Sequence, residues 1–355
     1  ALIAGTARKI NRGVENLFTG LILDLLQKEM EPNAELQMTL AAKRERKAEL
    51  RMTLAATKMK LQAEVRKALA ADDLDEIPPG VSVEFLVTHF DRELERLFPD
   101  KYDEATTFVQ LADWLWGPPD SDGRRGFERP VDLFGHVRMI GSSREGKAGV
   151  SLCTAIGQRF PSAVGCATNF ISWSWRYSIK KFIRALQAYC AGHNNTASGC
   201  FVWVCFICNN QFEWLQDGGK DGVAEFGTNL EKIGRLTCVV DEFLESQAVY
   251  VQRLWPVFEV FAASSQGVTI DVALMGVTPQ QLAREPLSTF SRGLVVDVLS
   301  TTATDPKDEQ RIKMLIANDS GAANATNEVV QLVLFDLISF LIKLILKSSY
   351  LRDGS

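Results

Sequence analysis

Between residues 164 and 298 short apolar runs alternate with stretches of helical spacing. VGCATNFIS comes first, then CFVWVCFI from 200, GRLTCVVD at 234–241, VTIDVAL from 268 and GLVVDV from 293. Parallel strands need crossovers of a dozen or more residues, usually helical, and such strands are apolar on both sides because helices cover both faces. Five such runs therefore predict an α/β domain with a doubly wound, mostly parallel five-stranded sheet. In open sheets of this kind ligands sit at the carboxyl ends of the strands.

The flanks follow a different period. Residues 34–71 hold helix formers without Gly or Pro, and AELQMTLAA at 34–42 recurs as AELRMTLAA at 48–56. An offset of two heptads keeps Leu36 and Leu50 on one helix face, as it does Leu40 and Leu54. The spacing predicts a coiled-coil-like helix roughly 57 Å long. Between 43 and 67 its charge is strongly basic, with nine Lys/Arg against three Glu. That pattern fits a solvated face, or a surface docking on an acidic partner, a membrane or nucleic acid. An amphipathic stretch at 13–29 precedes it. DDLDE and Pro78-Pro79 close it, and SVEFLVTHFDRELERLF resumes helical spacing before the loop WGPPDSDGRRG.

At the other end, Asp305-Pro306 carries the cap and first-turn proline of a helix start. NEVVQLVLFDLISFLIKLILK at 327–347 is apolar but broken by Gln331, Asp336, Ser339 and Lys343. It reads as a core or partner-facing helix, with an interfacial or spanning placement as alternatives. Asp at a bilayer centre costs about 2.5 to 3.5 kcal/mol on insertion scales. Four regions result: a helical extension at 1–77, a helical and irregular linker at 78–162, the α/β domain at 163–320 and an apolar C-terminal helix at 321–355.

Composition narrows the function classes. The 355 residues are 46% hydrophobic and 23% charged, with a net charge of -5. This is a globular composition with no broad attraction to nucleic acid, so any such contact is local. All seven cysteines fall between 153 and 238, in the most apolar part of the chain. They read as buried free thiols of a reducing, intracellular compartment. Cys205 and Cys208 form a CxxC with no second pair at ligand spacing, so no metal site is expected. The first stretch lacks the order of a secretory signal; any targeting sequence upstream of Ala1 lies outside the chain.

Two stretches suggest ligands. GSSREGKA at 141–148 matches the phosphate-loop pattern G-x-x-x-x-G-K-[ST] except at its last position. Gly141, Gly146 and Lys147 would face the phosphates, but Ala148 offers no hydroxyl to Mg²⁺.

The second candidate is RLWPVFEV at 253–260, where Glu259 stands among aromatic and aliphatic residues. With NFISWSWRYSIKKFIRAL, FVWVCFICNNQF, IGRLTCVVDEF and VTIDVAL, it resembles in order and spacing the Toll/interleukin-receptor-like (TIR-like) domains of algae and protists, over about 164–320. The resemblance implies a flavodoxin-like sheet. It also implies that Glu259 matches the glutamate with which NAD-cleaving members engage the nicotinamide ribose. A carboxylate there stabilises the oxocarbenium-like sugar left by nicotinamide. Ser172, Trp173 and Tyr177 at the first strand end, Trp203 and Asn209 near the second, and Trp255 beside Glu259 would line the NAD(P) cleft.

The departures from the family are chemical. Its histidine after Ser172 is Trp173 here, its aspartate is Cys205, its next histidine is Phe212 and its cysteine before the glutamate is Pro256. The resemblance thus implies an interaction or assembly module with a degenerate nucleotide cleft, holding no cofactor and residing in a larger complex. Helices at 13–29, 34–71 and 327–347 would be its attachment surfaces. The alternative is an NAD(P) glycohydrolase using Glu259.

Overall fold

The computed structural model describes residues 76–352, apart from 121–124, 126, 128–129, 138–148, 193–195, 215–221, 279–280, 282–284, 286–288, 290–291 and 318–319. Side chains of the last helix are described as far as Ile338. The stretches expected to be helical at 13–29 and 34–71, with the internal repeat, lie outside the described residues, as do Gly141, Gly146 and Lys147.

The sheet is mixed and six-stranded. Strands β1 (Pro79–Ser82), β2 (Val164–Cys166), β3 (Asn169–Ser172), β4 (Phe201–Trp203), β5 (Arg235–Val240) and β6 (Thr269–Leu274) lie in the order β2-β1-β4-β3-β5-β6. The last four positions are parallel, while β1 runs antiparallel to both β2 and β4. The α/β class and four of the five expected strands are therefore present.

The expectation of five strands needs correction at two places. GLVVDV does not join the sheet. Its alternation is real, with Leu294, Val296 and Val298 buried and Val295 exposed, but its backbone finds other partners. The Gly293 carbonyl accepts from Ala248 N–H, and Val298 N–H donates to Asn327 Oδ1 at 2.7 Å. Satisfied in this way, the segment does not need a ladder. Conversely, β1, of four residues, is too short to show a period-2 signal, and the run VGCATNFIS divides into two strands, β2 and β3.

Because β1 lies between β2 and β4, residues 78–162 are not a linker beside the α/β domain. They share its core. Helix α1 (residues 83–97, with a π-helical turn at Leu86–Phe90), α2 (Phe108–Trp116), α3 (Leu152–Arg159) and α4 (Ile179–Gly192) cover one face. That face buries Leu86, Phe108, Leu111, Ile156 and Phe182 against Val202, Ile171, Val239 and Ala273 of the strands.

The opposite face is covered by α7 (Gly222–Ile233), α8 (Val249–Gln252), α9 (Leu254–Gln266), α10 (Pro306–Ile316) and α11 (Ser320–Arg352). Two short helices, α5 (Cys205–Cys208) and α6 (Gln211–Trp214), follow β4 directly. The strand pleat sorts the side chains: Phe170, Trp203, Leu236, Cys238 and Val272 point to this second face. Helix α10 starts as expected, with Asp305 Oδ1 accepting from Lys307 N–H and Pro306 in the first turn.

Helix α11 packs on α9 through Val330, Leu334 and Ile338, all fully buried. Its described part is thus a core helix, with Leu332 on the opposite side 52% exposed. Among the described residues no helix is long and apolar enough to cross a membrane.

Candidate functional site

Glu259 sits in the middle of α9, a helix buried nearly all round. Pro256, Val257, Phe258, Val260, Phe261, Ala262 and Ala263 are all buried with it. The proline does not distort the helix, because it occupies the first turn, where a missing N–H loses no intrahelical bond. Arg253 breaks the chain between α8 and α9 with extended φ/ψ and bridges to Thr302.

The glutamate points at the carboxyl ends of the parallel strands. Chain connection leaves β3 toward β4 on one side and returns past it to β5 on the other. The strand order therefore reverses between β3 and β5, the place where open α/β sheets form ligand crevices. Ser172 ends β3 and pairs in register with Cys238 of β5. The Ser172 hydroxyl hydrogen-bonds the Glu259 carboxyl, while among the described residues Oε2 of Glu259 has no hydrogen-bond partner. The same hydroxyl bonds Tyr250 Oη at 2.6 Å.

The location suits a ligand; the space is already taken. Ser172, Cys238 and Tyr250 are fully buried and Glu259 is 5% exposed. Burial pushes the Glu259 pKa up to about 8, with the Ser172 hydrogen bond pulling the other way. The carboxyl is thus mainly protonated at neutral pH. Burial also raises the Cys205 and Cys238 thiols, and the nearby Glu259 carboxylate adds to the effect on each. These groups form a small polar cluster of neutral side chains, most of it buried.

The remaining candidates separate. Trp173 follows Ser172 but turns to the first face, where it packs edge-on to Phe108 at 4.4 Å between ring centroids and against Phe182. Among the described residues its Nε1 has no hydrogen-bond partner. Tyr177 is also on that face and donates to Val239 O at 2.9 Å and to Asp241 Oδ1 at 3.0 Å. Trp203 stacks on Phe170 at 4.6 Å, and Trp255 meets Phe226 at 4.7 Å. Both tryptophans belong to the second-face core around Phe226. Asn209 lies elsewhere, at a cleft beyond β4. The six residues expected to line one NAD(P) cleft with Glu259 thus divide between two faces of the sheet and a separate cleft, and Ser172 alone touches the carboxyl.

Three residues of this region were not among the expected site residues. Asp241, directly after β5, accepts from the backbone N–H groups of Val249 and Tyr250 and so anchors α8. Tyr250 then fills the space over Ser172, and Cys238 forms the floor. Asp241 carried a readable signal, a carboxylate at a strand's carboxyl end in VVDEF; Tyr250 carried none.

No protein-family model matches the chain, and neither a curated protein nor a solved structure does.

Proposed function

We propose that the chain is a TIR-like interaction and assembly module, a non-catalytic subunit of a larger complex whose nucleotide cleft has been filled by its own side chains. The observation that carries this reading is the sealed carboxyl of Glu259, 5% exposed with Tyr250 bonded to the serine beside it. A glutamate that must meet a ribose needs an open crevice, because pockets that take ligands bury most of the ligand surface in pre-formed space.

The sheet supports the TIR-like part. Its parallel strands run second, first, third, fourth along the chain, the start of the flavodoxin-like order. Apolar side chains outside the core support the assembly part. Leu299 and Met314 are each 54% exposed and Leu332 52%, on the loop, α10 and α11 of the second-face layer.

NAD(P) cleavage by Glu259 is the second reading, favoured by one observation: the carboxyl lies at the reversal of strand order. It requires α8 to move and take Tyr250 off Ser172.

The assembly reading has a direct check. Size-exclusion chromatography of the native protein from its source cells should place it well above the 39.4 kDa of one chain. Elution at the monomer position contradicts residence in a complex.

A further inference from the structure

Two thiols meet at the amino end of the parallel strands. Cys190 stands in the last turn of α4 and Cys200 directly before β4; each is 1% exposed, and both belong to the first-face core. Their side chains hydrogen-bond each other. We propose that Cys190 and Cys200 are a redox-active dithiol, which a hydroperoxide converts to a reversible disulfide.

The strands hold the pair together from below. Asn169 Nδ2 donates to the hydroxyl of Tyr189, the residue before Cys190, at 3.1 Å, while Asn169 Oδ1 accepts from Cys200 Sγ at 3.8 Å. One side chain thus touches both chain segments. The backbone around Cys200 is fixed as well, since Phe201 N–H donates to Thr168 Oγ1 at 3.1 Å and the Cys200 carbonyl accepts from Val83 N–H at 3.0 Å.

Their surroundings give the two sulfurs different roles. Cys200 is held below the usual thiol range, first by the Cys190 S–H that donates to it, then by the Thr168 hydroxyl and the Arg235 charge, which together outweigh its burial. Cys190 is raised, because its proton is engaged by Cys200 and because it is buried. The thiolate therefore forms on Cys200. Thiolates are the nucleophiles of sulfur oxidation, and a neighbouring thiol resolves the sulfenic acid that results. Elsewhere the trend is opposite: burial pushes Cys205 and Cys238 up to about 12, and Cys208, beside Cys153, well up.

The chemistry balances with hydrogen peroxide as oxidant. Cys200 Sγ attacks one peroxide oxygen, the O–O bond breaks, and the leaving hydroxide takes up the proton that Cys200 gave to solvent. Cys190 Sγ then attacks the sulfenic sulfur, and the hydroxyl leaves as water with the Cys190 proton. Two thiols and one peroxide give one disulfide and two waters. Access needs only a small opening, because hydrogen peroxide is little larger than water and exposed residues adjoin both cysteines, Ala191 and Gly192 after one, Ser198 and Gly199 before the other.

The test is hydrogen peroxide treatment of the folded, reduced full chain, followed by alkylation of the remaining thiols and mass-spectrometric mapping of linked peptides. The Cys190–Cys200 link should form before any other, and dithiothreitol should remove it. In Cys190→Ser a hydroxyl still donates to Cys200 but cannot resolve it, so dimedone should trap a sulfenic acid there. Cys200→Ser should leave Cys190 unlabelled. Mapping of the wild type decides the matter should either variant fail to fold. Three results overturn the proposal: Cys190 and Cys200 remaining thiols or linking after Cys153 and Cys208, a link that appears only once urea has unfolded the chain, or dimedone labelling Cys190 in Cys200→Ser as readily as Cys200 in Cys190→Ser.

Discussion

Replacing Glu259 with methionine should make the protein more stable, and most of all at alkaline pH. The folded carboxyl titrates at about 8, against an ordinary value of 4.5. Between these limits the folded state holds a proton that the unfolded state has released. Stability therefore falls as pH rises, by about 1.4 kcal/mol per pH unit. The contribution is fully present below about 4.5 and lost as pH passes through about 8. Over the whole window the wild type should lose a few kcal/mol, a large part of a domain's typical stability.

Methionine fills similar space and has no charge to bury. The Ser172 and Tyr250 hydroxyls keep their mutual bond, which uses one of their two O–H donors, so losing the Glu259 acceptor offsets only part of the gain. Urea unfolding at about pH 5 and about pH 9 checks this. The variant should show a flatter pH profile and a higher midpoint at the alkaline end. Equal slopes for both proteins would mean that Glu259 is hydrated and ordinary.

Phe108→Ala should destabilise the fold by about 3 to 5 kcal/mol, the usual cost of emptying a fully packed aromatic site. Phe108 is 1% exposed and lies at the centre of the first-face aromatic knot. Its ring centroid is 4.4 Å from Trp173 and 5.2 Å from both Phe182 and Phe206. Its backbone N–H also donates to Tyr177 O at 3.2 Å, which ties the start of α2 to the loop after β3. Room for these rings to close the void is limited because they come from three different segments. The denaturant midpoint should fall while the slope stays that of a two-state transition. A loss under about 1 kcal/mol would show that the knot repacks. The void would open on the first face, with the sheet between it and Glu259, so the variant should acquire no activity toward NAD.

The four strands legible in the sequence are those whose side chains meet a helix layer on each face, an environment that selects continuous apolar runs. GLVVDV gave the same signal without becoming a strand. Its alternation reports burial of one side, and Asn327 and Ala248 take the hydrogen bonds a neighbouring strand would have taken. β1 was hidden because PGVS is short and begins with Pro79, directly after Pro78; its membership of the sheet depends on pairing with residues 80 and more positions away.

The site was legible to a similar depth. Sequence placed Glu259 near the end of the first parallel strand, and Ser172 beside it. It placed Trp173 in the same cleft, but a one-residue step along an extended chain sends successive side chains to opposite faces, and Trp173 packs on Phe108. Nor did it reveal Tyr250, whose place over Ser172 depends on Asp241 holding the start of α8.

The account rests on Glu259 being a neutral core group, and incubation of the purified protein with NAD tests that most directly. No nicotinamide should appear above the rate of a buffer blank, and Glu259→Gln should leave that result unchanged. Nicotinamide released by the wild type and abolished in Glu259→Gln would contradict the account and make the carboxyl catalytic.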